Sequence, residues 1–343
     1  MPVSAIGVPP PRAAASLRGL RLAGSLLGLA VLSAAALRFG FRPAGWDTVW
    51  AALTAYDPDD AGHIVIRSMR LPRLAGAVLA GAALGMSGAL IQGMTRNPLA
   101  DPGLLGINGG AALGVVICIL GFGITDPAAF VWVALGGALA ASVLVFLLGG
   151  GSGASPLRLV LAGAALSALI LALTRALLLV SSQTLDVYRF WVLGGFDGTM
   201  PATLIALLPF LALGAGLAAV AAAGLNALLL GEDTARGLGV RTGLARATAG
   251  SAIVLLCGAT VAMAGPIAFA GLIVPHLARW AAGPDMRWTL AFSAVFGPLL
   301  LVAADLAGRL PLFGGNMQAG VMTALIGGPV LVWMVRRNGV RSL

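Results

Sequence analysis

Apolar residues run nearly unbroken through ten stretches of the chain: 20–38, 71–94, 105–122, 129–148, 159–180, 203–224, 247–264, 266–281, 289–307 and 319–335. The gaps between them hold most of the arginines and prolines and nearly all of the carboxylates. A helix needs about 20 apolar residues to cross about 30 Å of hydrocarbon. Continuous runs of this kind signal helices, because a membrane barrel would show short alternating segments instead. The pattern predicts an all-α polytopic membrane protein with about ten transmembrane helices. It reads as one membrane domain over 20–337, with tails at 1–19 and 338–343.

Composition agrees with the pattern. Of 343 residues, 59% are hydrophobic and 10% charged, and the mean hydropathy is +0.99. A soluble domain of this size needs far more charge to cover its surface. The net charge is +9, and every basic residue is arginine. The arginines are scattered at the ends of apolar runs, where they orient helices, so the charge does not require nucleic acid. Cys118 and Cys257 lie within apolar runs without metal spacing, and burial as small hydrophobes accounts for them. A basic start, an apolar stretch and small residues at 33–36 look like a secretory signal. The stretch Leu20 to Leu37 is long for a signal core, however, and a further membrane helix follows, so an uncleaved first span is expected.

An even number of spans puts both termini on one side. With the termini inside, the inner segments hold thirteen arginines: 12, 18, 21, 96, 158, 236, 241, 246, 279, 287, 336, 337 and 341. The outer segments hold seven: 38, 42, 67, 70, 73, 189 and 309. The excess places the termini in the cytoplasm. Arg67, Arg70 and Arg73 cluster before the second span, and Arg309 follows the ninth. Their spacing fits either headgroup contact or a separate use.

Two connections stand out. Between the second and third spans, RNPLADPGLLGINGG packs two prolines and four glycines into Arg96 to Gly110. Farther on, Leu225 to Arg246 is the longest polar inner segment. Within it, Gly231 and Gly237 bracket a short stretch that opens with Glu232 and Asp233 and ends with Arg236. The acids suit a helix N-terminus, and Glu232 and Arg236 are spaced i,i+4 in the favourable order. A short polar helix outside the bilayer is expected to dock on something. No phosphate-binding loop, zinc motif or dinucleotide fingerprint is present, which speaks against an enzyme. No metal site or cofactor is expected. Spans nearly free of carboxylates disfavour an ion-coupled secondary transporter, the main alternative.

The stretch Leu71 to Gly114 closely resembles the second-to-third-span signature of the FecCD-type family, the iron–siderophore, haem and cobalamin permeases of ABC importers. AGPIAFAGLIVPHLARWAAGPDMR (Ala264 to Arg287) and AADLAGR with GVMTALIGGPVLVWMVRR, up to Arg337, resemble it too. The resemblance implies an ABC importer permease fold with ten spans. It implies as partners a second permease subunit (a second copy or a paralogue), a cytoplasmic ATPase dimer that alone hydrolyses ATP, and a periplasmic or lipid-anchored binding protein. Asn97, Pro98, Leu99, Pro102, Gly103 and Gly106 would then form a re-entrant, gate-adjacent turn, since proline bars helix continuation and glycine allows close approach. Gly231, Glu232, Asp233, Thr234, Ala235, Arg236, Gly237, Leu238 and Gly239 would couple to the ATPase. Arg70, Arg73 and Arg309 would receive acidic residues of the binding protein through planar, bidentate guanidinium groups.

Two departures stand against the family pattern. GGNMQAG (Gly314 to Gly320) has Asn316, Met317 and Gln318 where the family usually has an acid, Leu and Pro, and Gly195 replaces a common Ser. The chelate carried cannot be chosen from the sequence.

Overall fold

The computed structural model describes residues 11–151, 156–313 and 317–338. Of the expected tails 1–19 and 338–343, residues 1–10 and 339–343 lie outside the described residues, as do Gly314 to Asn316 of the atypical turn, whereas 11–19 belong to the first helix and Asn338 ends the last. The described chain is helical throughout, and seven of its helices are long and apolar enough to cross a membrane. This is a multi-pass membrane protein.

The order is α1 (Pro11–Arg38), α2 (Trp46–Thr54), α3 (Ala61–Ile64), a wide π turn (Val65–Arg70), α4 (Leu71–Thr95), a 3-10 turn (Pro102–Leu105), α5 (Ile107–Phe122), α6 (Pro127–Leu148), α7 (Pro156–Leu178), α8 (Ser182–Val192), α9 (Pro201–Leu229), α10 (Glu232–Gly237), α11 (Thr242–Ala264), α12 (Ala270–Ala282), α13 (Met286–Gly308) and α14 (Ala319–Asn338).

Helix α4 is the centre. It packs on α13, α11, α12 and α9, and toward α13 and α12 it presents glycines. Gly81 meets the backbone of Gly297, Gly85 meets the carbonyl of Ser293, and Gly88 meets the backbone of Gly271. The spacing 81, 85, 88 keeps these glycines on one helix face. Small residues of this kind let membrane helices approach backbone to backbone. Gly110 of α5 and Gly137 of α6 repeat the arrangement. Around this centre, α1 and α7 bury little of their surface.

The structure departs from the expected spans in three places. The second helix begins ten residues before residue 71, so that Ala61 to Thr95 form one continuous rod. Asp60 caps it, accepting from the Gly62 and His63 amides. The π turn sits just before Pro72, whose ring would crowd the carbonyl of Ser68 in a regular helix. The expected span 266–281 is a helix only over Ala270–Ala282. At 1.5 Å per residue those 13 residues reach about 20 Å, short of a full crossing. Gly265 and Phe269 take positive φ angles of 71° and 66°, and the chain between them is not helical. Finally, the connections 39–70 and 181–200 carry helices of their own (α2, α3 and α8), where the sequence reading had only loops.

Candidate functional site

Four places stand out: an arginine cluster at the start of α4, a cavity beside it near α8, the turn at the far end of α4, and the polar helix α10. At the first, Asp305 of α13 is nearly completely buried. It accepts from Arg73 Nε at 2.7 Å and faces Arg309 Nε at 3.1 Å. Arg73 also pairs with Asp197, whose carboxylate is half exposed. Arg309 reaches the Ala36 carbonyl at 3.2 Å. Arg70 donates to the carbonyls of Leu37 (2.6 Å), Arg38 (2.8 Å) and Arg42 (2.5 Å). Arg70 and Arg309 are buried, so these three arginines tie α1, α4, α13 and the turn between α8 and α9 together. Only Arg73 extends to a partner at the surface. Arg67 stacks on Tyr56, 4.7 Å from the ring centre.

Beside this cluster lies a cavity of about 560 Å³, lined among others by Phe190, Trp191, Asp197, Met263 and Gln318. The broken helix explains it. The non-helical chain after α11 is held by the turn after α8: the Gly195 amide donates to Ala264 O (2.7 Å), and the Gly320 amide to Gly194 O (2.9 Å). Irregular backbone in a membrane protein needs such partners. The two departures from the family pattern meet here, because a Cβ at Gly195 would overlap the Gln318 side chain. Glycine at 195 makes room for glutamine at 318.

At the other end of α4, Arg96 caps the helix in the left-handed conformation (φ 50°). Asn97 Oδ1 accepts from the Leu99 amide and Asp101 Oδ1 from the Gly103 amide, bending the chain twice. Gly106, at φ 76°, launches α5. This turn is wedged into the protein: Pro102 packs on Gly271 of α12, and the Leu104 carbonyl packs on Gly163 of α7. All six residues expected near a gate therefore lie on one turn that joins α4, α7 and α12.

Gln92 belongs with them and was missed from the sequence. It is fully buried in α4, donating to Leu272 O (3.1 Å) and accepting from Arg279 Nη2 (2.5 Å). A lone amide in the apolar run ALIQGM is the signal that would have found it.

Helix α10 forms over Glu232–Gly237 as expected. Gly231 enters it at φ 112° and Gly239 leaves it at φ 79°, conformations that favour glycine. Glu232 is held by Arg246 of α11 through two hydrogen bonds (2.7 and 3.2 Å) and by Arg236 at 2.7 Å. The Arg246 contact keeps its carboxyl below the usual range. Ala235 points inward and is fully buried, whereas Asp233, Thr234, Arg236, Gly237 and Leu238 are exposed. An exposed leucine on a polar helix is an unsatisfied apolar load.

The FecCD transport family matches residues 28–337. The chain is 41% identical over 324 residues to the ferric enterobactin transport system permease protein FepD of Escherichia coli (strain K12), covering 94% of this chain and 96% of that one. It is 36% identical over 324 residues to the hemin transport system permease protein HmuU of Yersinia pestis, covering 93% and 96%. Among solved structures, a metal-chelate type ABC transporter in an inward-facing conformation superposes with a TM-score of 0.83 at 29% identity, covering 93% of this chain and 99% of that one. The glycine-packed helical core, the broken α12 and the polar helix α10 thus sit on a chain that belongs to the FecCD transport family.

Proposed function

We propose that this protein is the membrane permease of an ATP-driven importer and forms the path for an iron chelate of the siderophore or haem class, delivered by a binding protein. The observation that carries the reading is near full-length similarity to FepD and HmuU, whose names specify ferric enterobactin and hemin transport. A cobalamin import permease of Halobacterium salinarum is 34% identical over 302 residues, so cobalamin is the competing cargo. An ion-coupled transporter fits less well, because the most deeply buried carboxylate among the described residues, Asp305, is already committed to Arg73 and Arg309.

In this reading the α10 end faces the cytoplasm of a bacterial inner membrane and the α8 end faces outward. ATP hydrolysis belongs to a separate ATPase dimer, which receives α10 through Leu238 and its polar neighbours. A second permease, identical or paralogous, completes the path. The binding protein lands over the Arg70–Arg73–Arg309 cluster, with Arg73 the arginine within reach of an incoming carboxylate. The turn from Asn97 to Gly106 controls the inner mouth because it packs on both α7 and α12 at the end of α4.

The test is reconstitution in vesicles with the ATPase and binding protein, followed by ATP-dependent uptake of labelled ferric siderophores, haem and cobalamin. Uptake of a ferric siderophore or haem supports the reading. Uptake of cobalamin alone overturns the cargo, and uptake driven by an ion gradient without ATP overturns the mechanism.

A further inference from the structure

Near the α10 end, the seam between α6 and α11 is open. A cavity of about 410 Å³ lies there, backed by Met94 of α4 and Leu105 of the 3-10 turn. Its walls are apolar, with Val143 and Phe146 on α6 and Gly250 and Val254 on α11. Val143 and Ser251, both on its lining, are exposed. A Cβ built at Gly250 would meet nothing within 4 Å, so the missing side chain is part of the slot.

The slot ends at Arg246, which is 8% exposed. Two nitrogens of its guanidinium hold Glu232, but its Nε–H is buried and finds no acceptor among the described residues. Leaving such a donor unmatched costs about 1–3 kcal/mol, more when it is charged. The surroundings carry excess positive charge. The Glu232 carboxyl feels Arg246, Arg236 and Arg96, Arg241 is exposed at the start of α11, and against these four stand Glu232, Asp233 beside Arg236, and Asp101 on the turn that carries Leu105.

We propose that this slot binds one acyl chain of an anionic phospholipid, with its phosphate at the Arg246 end. An apolar slot between two spanning helices is reached from hydrocarbon, which selects a lipid tail over a soluble anion. A phosphate supplies acceptor oxygens for the orphan Nε–H through a charge-assisted bond, and the arginine excess favours a net negative headgroup over a zwitterion. Placing the lipid in the inner leaflet rests on the orientation proposed above; the binding itself does not. Because Arg246 also holds Glu232, an occupied slot fixes the arginine that anchors α10 to the membrane domain.

The experiment uses the full chain in phosphatidylcholine nanodiscs. Two photoactivatable probes with identical tails are compared, one a phosphatidylglycerol and the other a phosphatidylcholine, and labelled peptides are located by mass spectrometry. The phosphatidylglycerol is expected to label α6 and α11 several-fold more than its neutral counterpart. Ser251→Trp, which fills the slot from its exposed side, is expected to abolish that label while labelling of α1 is unchanged. Arg241→Gln should lower the ratio between the two probes. Equal labelling by both lipids means ordinary annular lipid and overturns the proposal. So does labelling that survives Ser251→Trp, or equal labelling by a free fatty acid with the same tail. Should Ser251→Trp fail to fold, the two-probe ratio on the unmodified chain decides alone.

Discussion

Replacing Asp305 by Asn removes the one charge that balances Arg73 and Arg309 inside the protein. Breaking a buried ion pair by deleting one partner costs about 3–5 kcal/mol, because the other charge stays buried and uncompensated. Two features pull the expectation to the low end. Arg73 keeps Asp197, and Arg309 keeps the Ala36 carbonyl. Asp305→Asn should therefore cost about 3 kcal/mol. Asp197→Asn removes a carboxylate whose side chain is 47% exposed, and exposed pairs are worth about 0.2–1 kcal/mol. The two isosteric substitutions should thus differ at least threefold in destabilisation. The measurement is denaturant unfolding in mild detergent, followed by tryptophan fluorescence. A further variant, Asp305→Leu with Arg73→Met and Arg309→Met, should recover stability, since apolar replacement of a buried charge network is often neutral or stabilising. Equal costs for Asp305→Asn and Asp197→Asn would refute the claim that Asp305 organises this end of the protein.

A cysteine at Leu238 should crosslink to the ATPase, whereas one at buried Ala235 should not; crosslinking at Ala235 would mean that α10 turns over. The Glu232 carboxyl is lowered on folding, so its tie to Arg246 stabilises at and above the usual carboxylate range and is lost as pH falls through the lowered value. Acid should therefore loosen α10 only below that range, and Glu232→Gln should abolish the pH dependence, read as Leu238 crosslinking. Gly88→Val should prevent accumulation of folded protein in the membrane, because its side chain would enter the backbone of Gly271. Gly195→Ala should cost under about 1 kcal/mol, because the end of a flexible glutamine can move aside. It should change uptake kinetics, and Gln318→Ala should undo that change.

All ten expected spans have a helix at their position, because each is an apolar run bounded by glycine, proline or charge that no soluble element mimics. Only the start of one, 266–281, was misread, for a physical reason. Pro266 and Phe269 are apolar, so hydropathy counts them as membrane-compatible, although Phe269 takes a left-handed φ. Conversely, Arg67 and Arg70 lowered the hydropathy of a stretch that is helical all the same. Helix α10 was legible because glycines and charges mark its ends locally. The inward engagement of Arg70 and Arg309 was not, since their partners lie at Leu37 and Arg38 and at Ala36, more than thirty residues away. Nor was the fit of Gln318 to Gly195, which depends on two turns meeting across a break in α12.

The bare glycine face of α4 has a mechanical consequence. Sliding one helix along another requires side chains that can exchange one rotamer or notch for the next. At Gly81, Gly85 and Gly88 there are none to exchange, and the backbones of Gly297, Ser293 and Gly271 occupy the space directly. The joint is keyed, so it either holds its register or separates. Helices α4, α12 and α13 therefore travel as one rigid piece. If α10 receives force as proposed, that force would enter through α9 and α11, which also pack on α4, and would be released where the chain is irregular rather than helical: at the Asn97–Gly106 turn and at the segment between Gly265 and Phe269. Both bends lie against α12, one through Pro102 on Gly271 and the other through Phe269, the residue that precedes the helix.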